Sequence, residues 1–203
     1  MTQTEKISFL DSARELVPRI IAAADRIDSE RRLPVELANE IADRGFFRLL
    51  MPRSLGGFEI DFIDYLEIVQ TIAEADGSVG WCLNQNTVLA STSATMPEEL
   101  AREIWSDPRA VLANGPIISA KSVPVEGGYQ LTGRWNFSSG CHHATWMIAA
   151  TPAISSDQNF DRRKSDKEGL TMLVPKGEMD FVDVWQVNGL RGTGSFTFQL
   201  QDL

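Results

Sequence analysis

Apolar residues recur at helical spacing through the first half of the chain and alternate with polar ones through much of the second. Ile7, Leu10, Leu16, Val17, Ile20, Ile21, Ala24 and Ile27 fall on one helical stripe, and Thr2 with Glu5 offers a capping box ahead of it. Pro34 suits a first helical position, followed by a stripe of Leu37, Ala38, Ile41 and Ala42, and Gly45 suits a left-handed stop. After Asp61 the spacing predicts a third helix with Phe62, Tyr65, Leu66, Val69, Ile72 and Ala73 on its apolar face. A fourth segment runs from Val79 to about Ala94, set apart by its Ser, Thr and Asn content. Pro97, Glu98 and Glu99 open a short fifth helix through Trp105, its acids where the helix dipole favours them.

The period changes at Asp107-Pro108. Beyond it come β-branched residues, alternation and glycine turns: a hairpin turn at Glu126-Gly127-Gly128, then strands at 129–137, 146–151, 170–174 and 193–200. Residues 153–168 are polar and read as a mobile loop. The fold class is therefore α+β, multidomain: an all-α domain over residues 1–107, then a barrel- or sandwich-like β-domain over residues 108–203.

Composition narrows the class. At 43% hydrophobic and 23% charged, the chain matches ordinary globular proteins. A net charge of −9 argues against a nucleic-acid surface, which needs clustered Lys and Arg. The densest basic run, Arg162-Arg163-Lys164, sits among Ser and Asp and reads as solvated loop. Cys82 and Cys141 are too few for a disulfide scaffold, so a reducing cytoplasm is the expected home. Neither a signal peptide nor a membrane-spanning run of eighteen or so apolar residues is visible.

Four segments could carry chemistry. Residues 47–57, Phe-Arg-Leu-Leu-Met-Pro-Arg-Ser-Leu-Gly-Gly, read as a corner between helices. Residues 133–146, Gly-Arg-Trp-Asn-Phe-Ser-Ser-Gly-Cys-His-His-Ala-Thr-Trp, are the most informative. An aromatic strand runs into a Ser-Ser-Gly turn, which suits a flat heteroaromatic cofactor: a ring to pack on, then hydroxyl and amide groups for its heteroatoms. The competing reading is a core strand ending in a turn. His142 and His143 are adjacent, so on a strand they face opposite ways and share no metal, and no metal is expected. His143 is a candidate general base; a bland surface pair is the alternative. Residues 188–195 lack the Lys-Ser or Lys-Thr of a phosphate loop and read as a glycine-rich connection between strands.

Together these segments resemble one family. Met-Pro-Arg-Ser-Leu-Gly-Gly at 51–57 resembles a corner of the acyl-CoA dehydrogenases. Gly-Arg-Trp-Asn-Phe-Ser-Ser-Gly at 133–140, then Ala144 and Trp146, resembles the strand on which those enzymes rest a flavin. Gly-Leu-Arg-Gly-Thr-Gly-Ser at 189–195 resembles the close of their middle β-domain. The resemblance implies a flavin cofactor, FAD or FMN. It sets Phe137 beside the ring system, Ser138 and Ser139 at its heteroatoms with Ser139 near N5, and Ala113, Asn114 and Gly115 along its border.

Within the superfamily, the stretch at 114–122, Asn-Gly-Pro-Ile-Ile-Ser-Ala-Lys-Ser, lacks the pattern that contacts a thioester in acyl-CoA dehydrogenases. The chain is closer to the flavin-dependent monooxygenase branch, which takes reduced flavin from a separate reductase and hydroxylates aromatic compounds. The resemblance thus implies the oxygenase component of a two-component monooxygenase with a small-molecule substrate. An acyl-CoA dehydrogenase and a non-catalytic interaction remnant are the alternatives. The family continues into a four-helix bundle, absent here, so the expectation is a truncated product or a remainder supplied by another chain. The complete protein is expected to be a homo-oligomer with no nucleic-acid or membrane partner.

Overall fold

The structure is a computed structural model, and it describes residues 3–152 and 169–203, with side chains from residue 9 onward. The Thr2/Glu5 capping box, the loop at 153–168 and its basic run lie outside the described residues. Among the described residues five α-helices come first: α1 (Gln3–Glu30), α2 (Val35–Asp43), α3 (Phe62–Ala75), α4 (Gly77–Ser91) and α5 (Glu98–Trp105). Seven strands of the described residues follow: β1 (Leu112–Asn114), β2 (Ile117–Val125), β3 (Gly128–Ser138), β4 (Trp146–Ala150), β5 (Thr171–Pro175), β6 (Asp180–Val182) and β7 (Phe196–Leu200). The class is α+β as expected, and no helix longer than a single 3-10 turn follows α5 among the described residues.

The local signals act much as the sequence suggests, with shifts that have physical reasons. Asp61 caps α3 by accepting from the Ile63 amide at 2.8 Å, and Asp76 caps α4 by accepting from Ser78 and Val79. Gly45 takes φ +80° and stops the α2 turn. Pro34 is the cap residue of α2, one position earlier than expected. On α3 the buried face is Tyr65, Ile68 and Ile72, while Phe62 and Leu66 are exposed, so the predicted stripe is rotated toward Ile68. The α4 segment ends at Ser91 and passes into a 3-10 turn at Thr92–Thr95.

The strands form two open sheets, β1-β4-β5 and β2-β3-β7-β6, a sandwich-like arrangement without a closed barrel among the described residues. The β2–β3 hairpin turns through Glu126 and Gly127, the latter at φ +84°. Strand β6 has no counterpart in the sequence reading, and β1 and β2 are given no bounds there, being implied only by the segment at 113–115 and the first arm of the hairpin. β1 and β6 are three residues long, and β2 is largely exposed, so none presents a regular alternation.

One core fills the helical layer around Leu16, Ile20, Phe46, Tyr65 and Leu83. Another lies on the strands around Trp135, Met147, Val174 and Phe198. A third joins the halves, with Met51, Ile104 and Trp105 packed against Leu112 and Ile148. Trp135 stacks on Phe198 at 4.9 Å and donates its indole N–H to the Ala150 carbonyl at 2.8 Å, tying β3 to the other sheet. Trp135→Phe should therefore cost about 1–3 kcal/mol by deleting a buried donor. Trp135→Ala should cost about 3–5 kcal/mol, because it also empties the core. Urea unfolding midpoints test the ranking, and equal losses in the two variants would contradict it.

Candidate functional site

A cleft of about 520 Å³ opens between α4 and the strands. Its walls come from four separate stretches: Trp81 and Gln85; Asn114, Gly115 and Pro116; Phe137 and Ser139; and Trp185, Leu190, Thr193 and Ser195. None of these side chains is charged. Trp81 and Gln85 are four residues apart on α4, so they share one helical face.

The β3 end is where the backbone departs from regular geometry. The β3–β7 register shifts between Trp135 and Ser138, and Phe137 sits at φ +51°, in the left-handed region. For a bulky aromatic that conformation costs of order 1–3 kcal/mol. Its consequence is that Phe137 turns outward, 53% exposed, with its ring edge-on to Trp185 at 5.9 Å. Ser139, just past the strand, faces the same cleft. The irregular register, rather than strand alternation, brings the two together.

Trp185 is held from behind. Its indole N–H donates to the Leu190 carbonyl at 3.1 Å, and Arg31 donates to its carbonyl at 3.2 Å while pairing with Asp183. The hydrogen bond from Arg31 holds the Asp183 carboxyl below its ordinary pKa.

The candidates separate cleanly. Asn114, Gly115, Phe137 and Ser139 line the cleft. Ala113 is fully buried in the β-core instead of bordering the cleft. Ser138 does not line it either: its side chain is fully buried and its hydroxyl has no hydrogen-bond partner. Gly115 has a backbone reason to be glycine, since a Cβ there would meet the Asn136 carbonyl oxygen at 2.2 Å. Gly140, φ +75°, admits the Asn86 amide, whose Oδ1 would lie 2.6 Å from a Cβ. The close approach expected of the Ser-Ser-Gly turn is thus to α4.

His143 lies off the cleft. It sits in a turn rather than a strand, its ring stacked on Phe47 at 5.5 Å and its Nε2 2.9 Å from Asn86 Oδ1. Asn86 donates its own N–H to the Leu112 carbonyl, so Oδ1 is the atom left to accept and His143 carries its proton on Nε2. Burial first, then Lys176 and His142, pushes its pKa down to about 3. Nε2 is thereby committed to a structural bond and cannot serve as a base. His142 points elsewhere, against Phe196 at 4.5 Å. Among the described residues no group of three or more His, Cys, Asp or Glu side chains could hold a metal. Cys141 is buried, and burial raises its thiol to about 11. The corner at 47–57 folds into two 3-10 turns, and Arg48 from it donates to the Trp105 carbonyl at 3.0 Å.

The cleft residues to which the sequence reading gave no site role are Trp81, Gln85, Pro116, Trp185, Leu190, Thr193 and Ser195. Only the Ser/Thr/Asn content of α4 and the glycine-rich 188–195 connection hinted at them.

The family described as acyl-CoA dehydrogenase, N-terminal domain, matches residues 3–106. The chain belongs to the acyl-CoA dehydrogenase superfamily. The oxygenase subunit HsaA, a flavin-dependent monooxygenase of Mycobacterium tuberculosis, is 34% identical over 99% of this chain and 50% of its own length. The crystal structure of that protein superposes with a TM-score of 0.85, covering 98% of this chain and 53% of that one. The oxygenase component of an FADH2-dependent resorcinol hydroxylase from Rhizobium is 30% identical over 93% of this chain and 46% of its own length. XiaF from Streptomyces, solved with FADH2 and glycerol, superposes at a TM-score of 0.87 with 26% identity, over 98% of this chain and 49% of XiaF. The chain spans about half the length of the curated relatives it matches. Within the superfamily, similarity is therefore to oxygenase subunits and components of flavin-dependent monooxygenases and hydroxylases.

Two outcomes follow from this geometry. Phe137→Gly should be more stable than Phe137→Ala by about 1 kcal/mol, because both lose the same ring but only glycine relieves the left-handed strain. The opposite order in thermal melts would mean that the backbone there is unstrained. The histidines set a pH dependence. Their folded pKa values, about 4 for His142 and about 3 for His143, lie below the ordinary 6.5. The unfolded chain therefore binds protons that the folded chain refuses, and stability present above about pH 6.5 is lost as pH falls toward those values. Denaturation midpoints should drop between pH 7 and pH 5, and less so in His143→Gln; a flat wild-type profile over that range would exclude buried neutral histidines.

Proposed function

We propose that the complete protein is the oxygenase component of a two-component flavin-dependent monooxygenase that hydroxylates a small aromatic compound. In this reading residues 1–107 form the N-terminal helical domain and 108–203 the middle β-domain of the superfamily. The observation that carries it is the cleft itself. Three aromatic side chains, Trp81, Phe137 and Trp185, meet a row of hydroxyls and the amides of Asn114 and Gln85 around one uncharged space. Such a space fits a flat, polar-edged ring system such as the flavin isoalloxazine. A volume of about 520 Å³ is within the ordinary range for such ligands. The absence of charge among the lining residues assigns them to the ring and leaves the phosphates to groups beyond the cleft.

Bound reduced flavin supplies the two electrons with which molecular oxygen is activated for hydroxylation. The residues of this chain bind and orient. Phe137 and Trp185 offer an edge-on aromatic wall, Trp81 closes the helical side, and Ser139 addresses a ring heteroatom. The apolar wall excludes water from the reacting face. A separate flavin reductase is the implied partner, and a cytoplasmic homo-oligomer the implied state. The exposed Phe62, Ile63 and Leu66 on α3 are consistent with an assembled protein. The cleft suits FAD and FMN alike, since its residues address only the ring the two share.

Anaerobic titration of the full-length gene product with reduced FMN and reduced FAD tests the assignment. Ser139→Ala should weaken binding about 2- to 10-fold, the loss of one hydrogen bond. Phe137→Ala should weaken it more, through lost aromatic contact. The assignment fails if both variants melt early while the folded fraction binds flavin as tightly as wild type.

A further inference from the structure

Along the cleft wall runs a chain of four hydrogen bonds. The Trp81 indole N–H donates to Ser139 Oγ at 2.9 Å. Ser139 Oγ lies 2.9 Å from Ser195 Oγ, which lies 2.6 Å from Thr193 Oγ1. Thr193 Oγ1 in turn is 2.9 Å from the Leu190 carbonyl oxygen. Ser195 and Thr193 are both 2% exposed, so water does not exchange into the inner links.

The ends fix the direction of every proton. An indole N–H can only donate, and a carbonyl oxygen can only accept. At 2.9 Å from a carbonyl oxygen, the Thr193 hydroxyl must put its hydrogen between the two oxygens, or their lone pairs repel. Its proton being spent, Thr193 must accept from Ser195. Ser195, its proton spent in turn, must accept from Ser139. Ser139 thus receives from Trp81 and gives its only proton inward. Toward the cleft it has a lone pair to offer and no hydrogen.

We infer that this polarised chain makes Ser139 a hydrogen-bond acceptor toward the cleft, and that Thr193 and Ser195 thereby select the redox state of the bound ring. The inference rests on the flavin reading above. Reduced flavin carries a hydrogen on N5 and matches an acceptor. Oxidised flavin presents a bare N5 lone pair and opposes one. Thr193 and Ser195 line the same cleft but are only 2% exposed, and they act here as positioning residues, through Ser139.

The test measures dissociation constants of reduced and oxidised FMN and FAD on the full-length gene product under anaerobic conditions, and the midpoint potential of the bound flavin. Wild type should prefer the reduced form. Thr193→Val removes the inner acceptor, so Ser195 can donate to Ser139 and Ser139 can donate to N5. The preference for reduced over oxidised flavin should then fall about tenfold, the scale of one hydrogen bond gained or lost. For a two-electron couple that is about 30 mV in the potential, toward more negative values. Ser195→Ala breaks the chain one link nearer the cleft and should produce the same fall, which covers the case in which Thr193→Val folds poorly. Thr193→Ser, which keeps the hydroxyl, should restore the wild-type ratio. A purely structural role for these hydroxyls would move both affinities together and leave ratio and potential unchanged, which overturns the inference while the flavin reading stands. Binding of neither redox form to the wild-type protein would overturn both.

Discussion

Asn86 is 1% exposed on α4, with its amide between the helices and the strands, and much of the surrounding geometry is set by the need to satisfy it. A buried amide left unpaired costs about 1–3 kcal/mol. Its N–H therefore goes to the Leu112 carbonyl on β1, at 2.7 Å, and its oxygen to His143 in the turn after β3. From these two bonds come the tautomer of His143, the requirement for glycine at 140, and the position of α4 against the sheet. Thr87, one residue on, donates to the Phe46 carbonyl at 3.0 Å and fastens the same helix to the other side. The Ser, Thr and Asn content of α4 thus has a structural cause: this helix is buried on several sides and meets backbone from both layers.

With α4 held there, Trp81 and Gln85 can only face the end of β3, and the irregularity of that strand acquires a purpose. A regular β3 would put Phe137 on the same face as the buried Trp135 and Ser138 on the other. The register shift and the left-handed Phe137 instead send the ring to the cleft, bury Ser138, and leave Ser139 beside Trp81. Strained backbone of this sort persists only where its surroundings over-determine it. Here those surroundings include the Asn136 amide, which donates to the Pro116 carbonyl at 2.9 Å, and the Ser139 amide, which donates to the Phe137 carbonyl at 3.0 Å.

What the sequence disclosed, and what it hid, follows the same division. The helical stripes, the start of α3 after Asp61 and the stop at Gly45 depend on neighbours a few residues away, so periodicity and residue type reveal them. The rotated face of α3 was missed because Phe62, Leu66 and Ile68 are equally apolar and only packing decides among them. The resemblance of 133–140 and 189–195 to a known family singled out Phe137 and Ser139, which the structure puts on the cleft, and Ser138, which it buries. That distinction turns on a register shift with no signature in composition. Trp81, Thr193 and Ser195 were hidden for a related reason: each looks ordinary where it stands. They gain meaning from contacts across 58 residues, Trp81 to Ser139, and 56 residues, Ser139 to Ser195.

The cleft belongs to no single stretch of chain, and this bears on how a ligand acts on the fold. One wall is helical, one is strand, and a third is the 185–195 segment, which is held to the end of α1 by the Arg31–Asp183 pair and by Arg191 donating to the Asp28 carbonyl at 3.2 Å. The Arg31–Asp183 pair is partly exposed, and surface pairs contribute about 0–1 kcal/mol each. The seam core of Met51, Trp105, Leu112 and Ile148 supplies the firmer attachment between the layers. A ligand that touches all three walls binds only when they are assembled, so its binding free energy adds to the cohesion of the layers as RT ln(1 + [L]/Kd). The same linkage makes the hydroxyl chain sensitive to assembly. Trp81 comes from the helical layer, Ser139 from the strands and Thr193 from the third wall, so the polarity of Ser139 is a property of the docked layers together.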